Sequence, residues 1–259
     1  MNYKREVAGL RGGKAVFITL QTNEQNSFTR DNLLELESIL EEIRKDPELR
    51  AVVLTSENEK FFSNGVDAQN IIQTEQSRLA EEMGQIVLFF NYLMKFDKPL
   101  VAEVTGYAMG GGAVITIASD FKFMLAGKGR ISFTEVFFGL PLPGTVVEKV
   151  KTCIAPHRIN EVIYGGIFKA DEARQIGLVD DVADSRENLR KLTQKKLDQI
   201  LKVPTSAFGH TKLSLHREIL QSEEAHMKNL DESFRNPVIM KNLLEAMSAL
   251  KEGRRPQFQ

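Results

Sequence analysis

Apolar positions along the chain alternate between short continuous runs and longer segments in which they recur every three or four residues. Residues 15–20 (Ala-Val-Phe-Ile-Thr-Leu) are apolar and partly β-branched between Gly12-Gly13 and Thr22-Asn23, which predicts a strand. Leu33, Leu36, Leu40 and Ile43 then line one face of a helix that Thr29 or Asp31 can cap and Asp46-Pro47 ends. Residues 51–55 form a second apolar run. Two such strands joined through a helix predict parallel pairing with a right-handed crossover. Residues 57–67 read as a loop, with Asn58, Asn64 and Gly65 beside Phe61 and Phe62. A long helix follows, striped by Leu79, Met83, Ile86, Phe90 and Leu93, and it stops before Pro99. Residues 100–105 read as a third strand closed by Gly106. Gly110-Gly111-Gly112 opens an apolar stretch at 113–118, and its place before the next strand, 121–125, favours a helix. Residues 130–133 are a further short strand.

Beyond residue 140 helical spacing dominates, at 146–154, 160–164, 171–176, 187–201, 206–220, 223–234 and 237–251. No linker, low-complexity run or internal repeat interrupts it. The expected architecture is an α/β core over residues 1–185 and a C-terminal helical region over 186–259. Late apolar stripes such as Leu189, Leu192, Ile200 and Leu213 suit an oligomer interface or an intrachain core equally.

Charge narrows the partners. With 34 Lys+Arg against 35 Asp+Glu the net charge is −1, which argues against a nucleic acid or an anionic membrane as the main partner. One cysteine, Cys153, excludes an internal disulfide framework and a Cys-based zinc site. The four histidines have no metal-ligand spacing, so no metal is expected. No apolar stretch is long enough to span a membrane. The first residues carry no secretory-type apolar core and the last four are no peroxisomal address, so the expected location is the cytoplasm.

Three segments can carry chemistry. Gly110-Gly111-Gly112 at a strand-to-helix junction is either a tight turn with close helix packing or a cradle of N–H groups for an anion. It does not match the dinucleotide or P-loop spacing. Phe62-Ser63-Asn64-Gly65-Val66-Asp67 follows a central strand, and Asp67 can cap the next helix or belong to a site. Glu135 precedes Val136-Phe137-Phe138-Gly139-Leu140-Pro141. There it is either a strand-end carboxylate facing water or, if desolvated, a usable base. Other groups read as scaffold: Cys153 as core, His210, His216 and His226 as solvated, and Lys212, Arg217 and 251–255 as mixed faces that could meet phosphates.

In this order and spacing the segments resemble the enoyl-CoA hydratase/isomerase (crotonase) family. Also matching are Asn26-Ser27-Phe28, residues 50–55, the run from Gly106 to Gly112, Asp120, residues 133–140 and residues 170–179. The resemblance covers roughly residues 12 to 185 and implies a spiral of strand–strand–helix turns, with C-terminal helices assembling a trimer or hexamer. It also implies an acyl-CoA or acyl-carrier thioester as substrate and no further cofactor. The N–H groups of Val66 and Gly111 would hold the thioester oxygen. Phe28, Ser63, Asn64, Gly65, Asp67, Gly110 and Val114 would join them in substrate binding, with Glu135 catalytic. Family hydratases carry a second glutamate two residues past the glycine triplet, where this chain has Val114. The dienoyl-CoA isomerase branch needs an aspartate where this chain has Pro143, and the turn at 140–144 places its Pro-Gly one residue later than the hydratase pattern. The pattern is nearest to the single-glutamate Δ3,Δ2-enoyl-CoA isomerases. Hydration, other thioester chemistry and a non-catalytic binding or scaffold role are the alternatives, since a fold alone does not fix function.

Overall fold

The computed structural model describes residues 2–258. The chain enters through a hairpin, β1 (Tyr3–Leu10) and β2 (Gly13–Leu20), then runs α1 (Arg30–Lys45), β3 (Leu49–Ser56), β4 (Phe61–Ser63), α2 (Ala68–Gln73) and α3 (Leu79–Lys95). Next come β5 (Leu100–Val104), β6 (Tyr107–Met109), α4 (Gly111–Ala118), β7 (Phe121–Leu125), β8 (Arg130–Ser132), a 3-10 turn at Glu135–Phe138 and α5 (Gly144–Cys153). The remainder is α6 (Ile159–Ile163), β9 (Phe168–Lys169), α7 (Ala170–Ile176), β10 (Asp181–Ala183), α8 (Arg186–Ile200), α9 (Thr205–Leu215), α10 (Arg217–Gln221), α11 (Glu223–Arg235) and α12 (Pro237–Glu252).

The larger sheet runs β1-β2-β3-β5-β7-β10, parallel except for β1. The smaller runs β4-β6-β8-β9, parallel except for β9. The turns that begin at β3, β5 and β7 each leave a strand in the large sheet, a short strand in the small one, and then a helix or helical turn. Continuous apolar strands follow from burial on both faces. Val16, Ile18, Val52 and Leu54 point into the main core, while Ala15, Phe17, Ala51 and Val53 pack under α8. Leu189 belongs to that second layer, with Leu192 and Ile200 packed against it, so these stripes serve the chain's own core. Leu213 is exposed.

Several expectations need correction. The loop at 57–67 contains β4, and Gly106 leads into β6; strands of three residues carry no legible period. Strand β1 has one fully buried residue, Tyr3, and mostly exposed positions, so no apolar pattern announces it. Thr29 caps α1 by accepting from the Asn32 N–H, in a reciprocal capping box. The helix expected over 206–220 breaks at His216 into α9 and α10. Cys153 is half-buried rather than deep core.

His216 is not solvated. It is 2 % exposed, its Nδ1 lies 3.1 Å from the Met94 carbonyl and its Nε2 lies 2.9 Å from Lys149 Nζ. The tautomer that satisfies both donates Nδ1–H to Met94 and accepts from the Lys149 ammonium. One turn earlier, Lys212 is buried against Asp120 at 2.9 Å, so it cannot meet a ligand's phosphate. These contacts pin α9 to the core. Helix α11 then crosses α3, and α12 folds back over α2 and the 3-10 turn.

Candidate active site

The loop after β4 is held as a strand fragment. Phe28 N–H donates to Gly65 O at 2.7 Å and Asp67 N–H donates to Phe28 O at 2.9 Å, a parallel bridge centred on Val66. Strand alternation turns Val66's own N–H to the opposite side, where no hydrogen bond among the described residues uses it. Among the described residues no hydrogen bond uses the Gly111 N–H either, at the start of α4, where the first helical N–H groups have no partner within the helix. The two stretches touch: a Cβ on Gly65 would stand 2.7 Å from Gly111 N, and Gly65 adopts a φ of 83°. Gly112 packs against β4 so closely that a Cβ built on it would collide with the Ser63 carbonyl. Close helix packing and a free N–H are thus both present, on neighbouring glycines.

Ser63 supports this arrangement from behind. Its hydroxyl donates to Asn26 O at 2.7 Å and accepts from Gly65 N–H at 3.1 Å, and the residue is fully buried. Asn26, at a φ of 49°, anchors its own side chain on Ser56 Oγ at 2.8 Å. Asp67 caps α2 by accepting from the Asn70 N–H at 2.8 Å.

Glu135 stands at the start of the 3-10 turn rather than on the strand end, and it faces inward. A side chain on Gly110 would begin 3.7 Å from its Oε1. Its Oε2 is buried without a hydrogen-bond partner. Desolvation therefore dominates and pushes its pKa up to about 7, against a slight lowering from its own backbone N–H. A carboxyl poised near neutrality can both take and return a proton.

These groups border a cavity of about 260 Å³. Asn64, Val66, Gly110, Gly111 and Glu135, all candidates from the sequence, line it. Val114 faces a smaller adjoining chamber of about 40 Å³. Phe28, Ser63, Gly65 and Asp67 line neither, and their hydrogen bonds run to the frame behind the cavity. Sequence reasoning missed Gln25, Met109, Thr134, Phe138, Met247 and Leu250. Phe138 and Thr134 flank Glu135 and could have been inferred from it. Met247 and Leu250 arrive from α12, some hundred residues along the chain, and carry no local signal.

The family model described as enoyl-CoA hydratase/isomerase matches residues 12–259. The chain belongs to the enoyl-CoA hydratase/isomerase family. Within that family, carnitinyl-CoA dehydratase of Escherichia coli (strain K12) is 29% identical over 189 residues, covering 71% of this chain and 72% of the relative. Crotonyl-CoA hydratase of Syntrophomonas wolfei subsp. wolfei is 25% identical over 248 residues, 94% of each chain. Human mitochondrial delta3-delta2-enoyl-CoA isomerase matches in structure with a TM-score of 0.87 at 21% identity, over 98% of this chain and 99% of that one. A methylmalonyl-CoA decarboxylase matches with a TM-score of 0.81 at 20% identity, over 98% of each. At such identities the likeness establishes the fold, the crotonase spiral with its C-terminal helices. The members' names span several reactions on one scaffold, so the reaction must be argued from the site.

Proposed function

We propose that this enzyme shifts the double bond of a 3-enoyl thioester into conjugation, with Glu135 as its one acid/base and Val66 and Gly111 N–H as its oxyanion hole. One observation carries the reading: Glu135 is the only ionisable side chain bordering either chamber among the described residues, and Val114 stands where a second carboxylate would hold water. The Glu135 carboxylate takes a proton from C2, and the C2–H electrons move toward the thioester carbonyl to give a dienolate. The two main-chain donors meet the developing oxygen charge, at the positive end of α4. The new carboxylic acid then returns the proton at C4: the C3–C4 π electrons form the new C4–H bond, the C1–C2 enolate electrons become the C2–C3 double bond, and the carbonyl re-forms. Nothing is added or lost, so no cofactor is required. Removing one such donor typically costs ~10²–10³-fold in rate.

Hydration of a 2-enoyl thioester is the second reading, favoured by the full-length likeness to a protein named crotonyl-CoA hydratase. The test incubates the purified protein with 3-enoyl-CoA and, separately, with 2-enoyl-CoA. Ultraviolet absorbance of the conjugated thioester, appearing from the first and lost in Glu135→Gln, supports isomerisation. Faster consumption of the second by water addition overturns it, and silence on both leaves a binding role. Trimer or hexamer assembly and a cytoplasmic location belong to the same proposal, with light scattering reading the first.

A further inference from the structure

The two chambers differ in chemistry. Gln25, Asn64 and Thr134 border only the larger one, so the polar arm of a thioester finds its hydrogen-bonding groups there. Val66, Met83, Gly111, Glu135 and Leu140 border both and form the partition. Beyond the partition the walls are Ile86, Val87, Val114, Pro141 and Pro143, closed by Leu230 and Phe234. Leu230 and Phe234 lie one helical turn apart on α11, 7 % and 8 % exposed, and α11 is braced across α3, α5 and α12. The end wall is therefore part of the packed core rather than a loose flap.

A thioester oxygen on the Val66 and Gly111 N–H groups sets C2 beside Glu135 and sends the alkyl end past Val114 into the small chamber. Its volume is about 40 Å³. At ~10–15 Å³ for each water-sized group, and more for a methyl, that is room for at most roughly two to three carbons. Apart from Glu135 no polar side chain among the described residues faces it, so a hydroxyl, ammonium or carboxylate at the far end of the acyl chain would be buried without a partner.

Resting on the enoyl-thioester reading above, we infer that the substrate class is a short, unfunctionalised acyl chain of about four to six carbons, and that Phe234 is the residue that sets this limit. Longer chains meet its ring. Chains with a charged end lose the apolar chamber altogether.

The test has two arms. Saturated straight-chain acyl-CoA esters of increasing length are titrated calorimetrically, which needs no turnover. Affinity is expected to rise about threefold to fourfold per methylene up to six carbons and then to stop rising. The same lengths are assayed as 3-enoyl-CoA, with kcat/KM expected to fall at least about tenfold between six and ten carbons. Phe234→Ala and the milder Phe234→Leu should move both limits to longer chains while six-carbon esters still bind, with thermal melting confirming that each variant folds. Equal or better binding of ten-carbon esters by the wild type, or an unchanged length profile in both folded variants, overturns the inference. A length limit in binding with no isomerisation at any length sinks the isomerase reading and leaves the chamber assignment standing.

Discussion

Among the ionisable groups withdrawn from water in the described residues, two sites are built on opposite terms. At the base of α9, Asp120 accepts from Lys212 Nζ and from the Leu100 N–H, and His216 bridges Lys149 to the Met94 carbonyl. Most of its polar groups have a partner, which is how interiors ordinarily hold charge. At the cavity, Glu135 has a buried oxygen with no partner at all. An unpaired carboxylate in an apolar wall is poor scaffolding and a good base, because desolvation brings its pKa to about 7. The contrast separates a site that holds the chain together from one that works against its stability.

The largest expected break of this contrast is Glu135→Gln. Isomerisation should fall by on the order of 10³-fold or more in steady-state assays. The same variant should melt higher than the wild type at about pH 8, since a buried charge costing on the order of 3 kcal/mol is gone. The linkage has a definite sign. The folded pKa is raised, so the contribution to stability is fully present below the unfolded value of 4.5 and is lost as pH rises through about 7. The gap in melting temperature between variant and wild type should therefore open across that window and close below it. A uniform gap at all pH values would show that packing, not ionisation, differs.

Next in size is the scaffold pair. Asp120→Ala leaves Lys212 buried and unpaired, and urea denaturation should show a loss of about 3–5 kcal/mol. Adding Lys212→Met in the same chain should recover most of it. If the double variant is no better than the single one, the pair is not what buries those positions.

The pH dependence sharpens the comparison from both sides. Turnover needs the Glu135 carboxylate, so kcat/KM for the isomerisation should rise through an acid limb near pH 7. His216 has the reverse linkage: burial foremost, then the Lys149 charge, lowers its pKa to about 4. The unfolded chain takes up a proton near 6.5 that the folded chain refuses, so stability falls as pH drops from there towards about 4. His216→Asn, which cannot titrate but can accept from Lys149, should flatten that acid-side decline in melting temperature and leave the kinetic limb where it is.

The smallest expected effect is Asp67→Ala. Loss of the α2 cap, and of the bond from Asn23 Nδ2 at 2.7 Å, should cost about 1 kcal/mol in urea and change turnover only severalfold. A collapse of activity comparable to that of Glu135→Gln would return Asp67 to the reacting centre.

Much of the architecture was legible because the inner strands of the large sheet, β2, β3, β5 and β7, are largely buried on both faces, and their apolar runs say so. The short strands β4, β6 and β9 were not, since two or three residues pair only because the spiral brings their neighbours alongside. Motif positions gave the main-chain and carboxylate candidates, but not which of them face the cavity. Ser63 and Asp67 sit in the motif beside Asn64 and Val66, yet their side chains bond inward to the frame. His216 and Lys212 lie on a helix of mixed polarity, and a sequence pattern cannot distinguish a polar residue facing water from one facing a buried partner.

By itself the sequence determined the periodic elements, the family and the apolar residue at Val114, since each depends on local spacing, ordered motifs or residue type. Tertiary structure alone decided that Glu135 loses its water, that α12 supplies Met247 and Leu250 to the cavity, and that Phe234 closes the inner chamber. Desolvation and cavity shape are set by whatever packs around a residue, and those neighbours come from segments far apart in the chain.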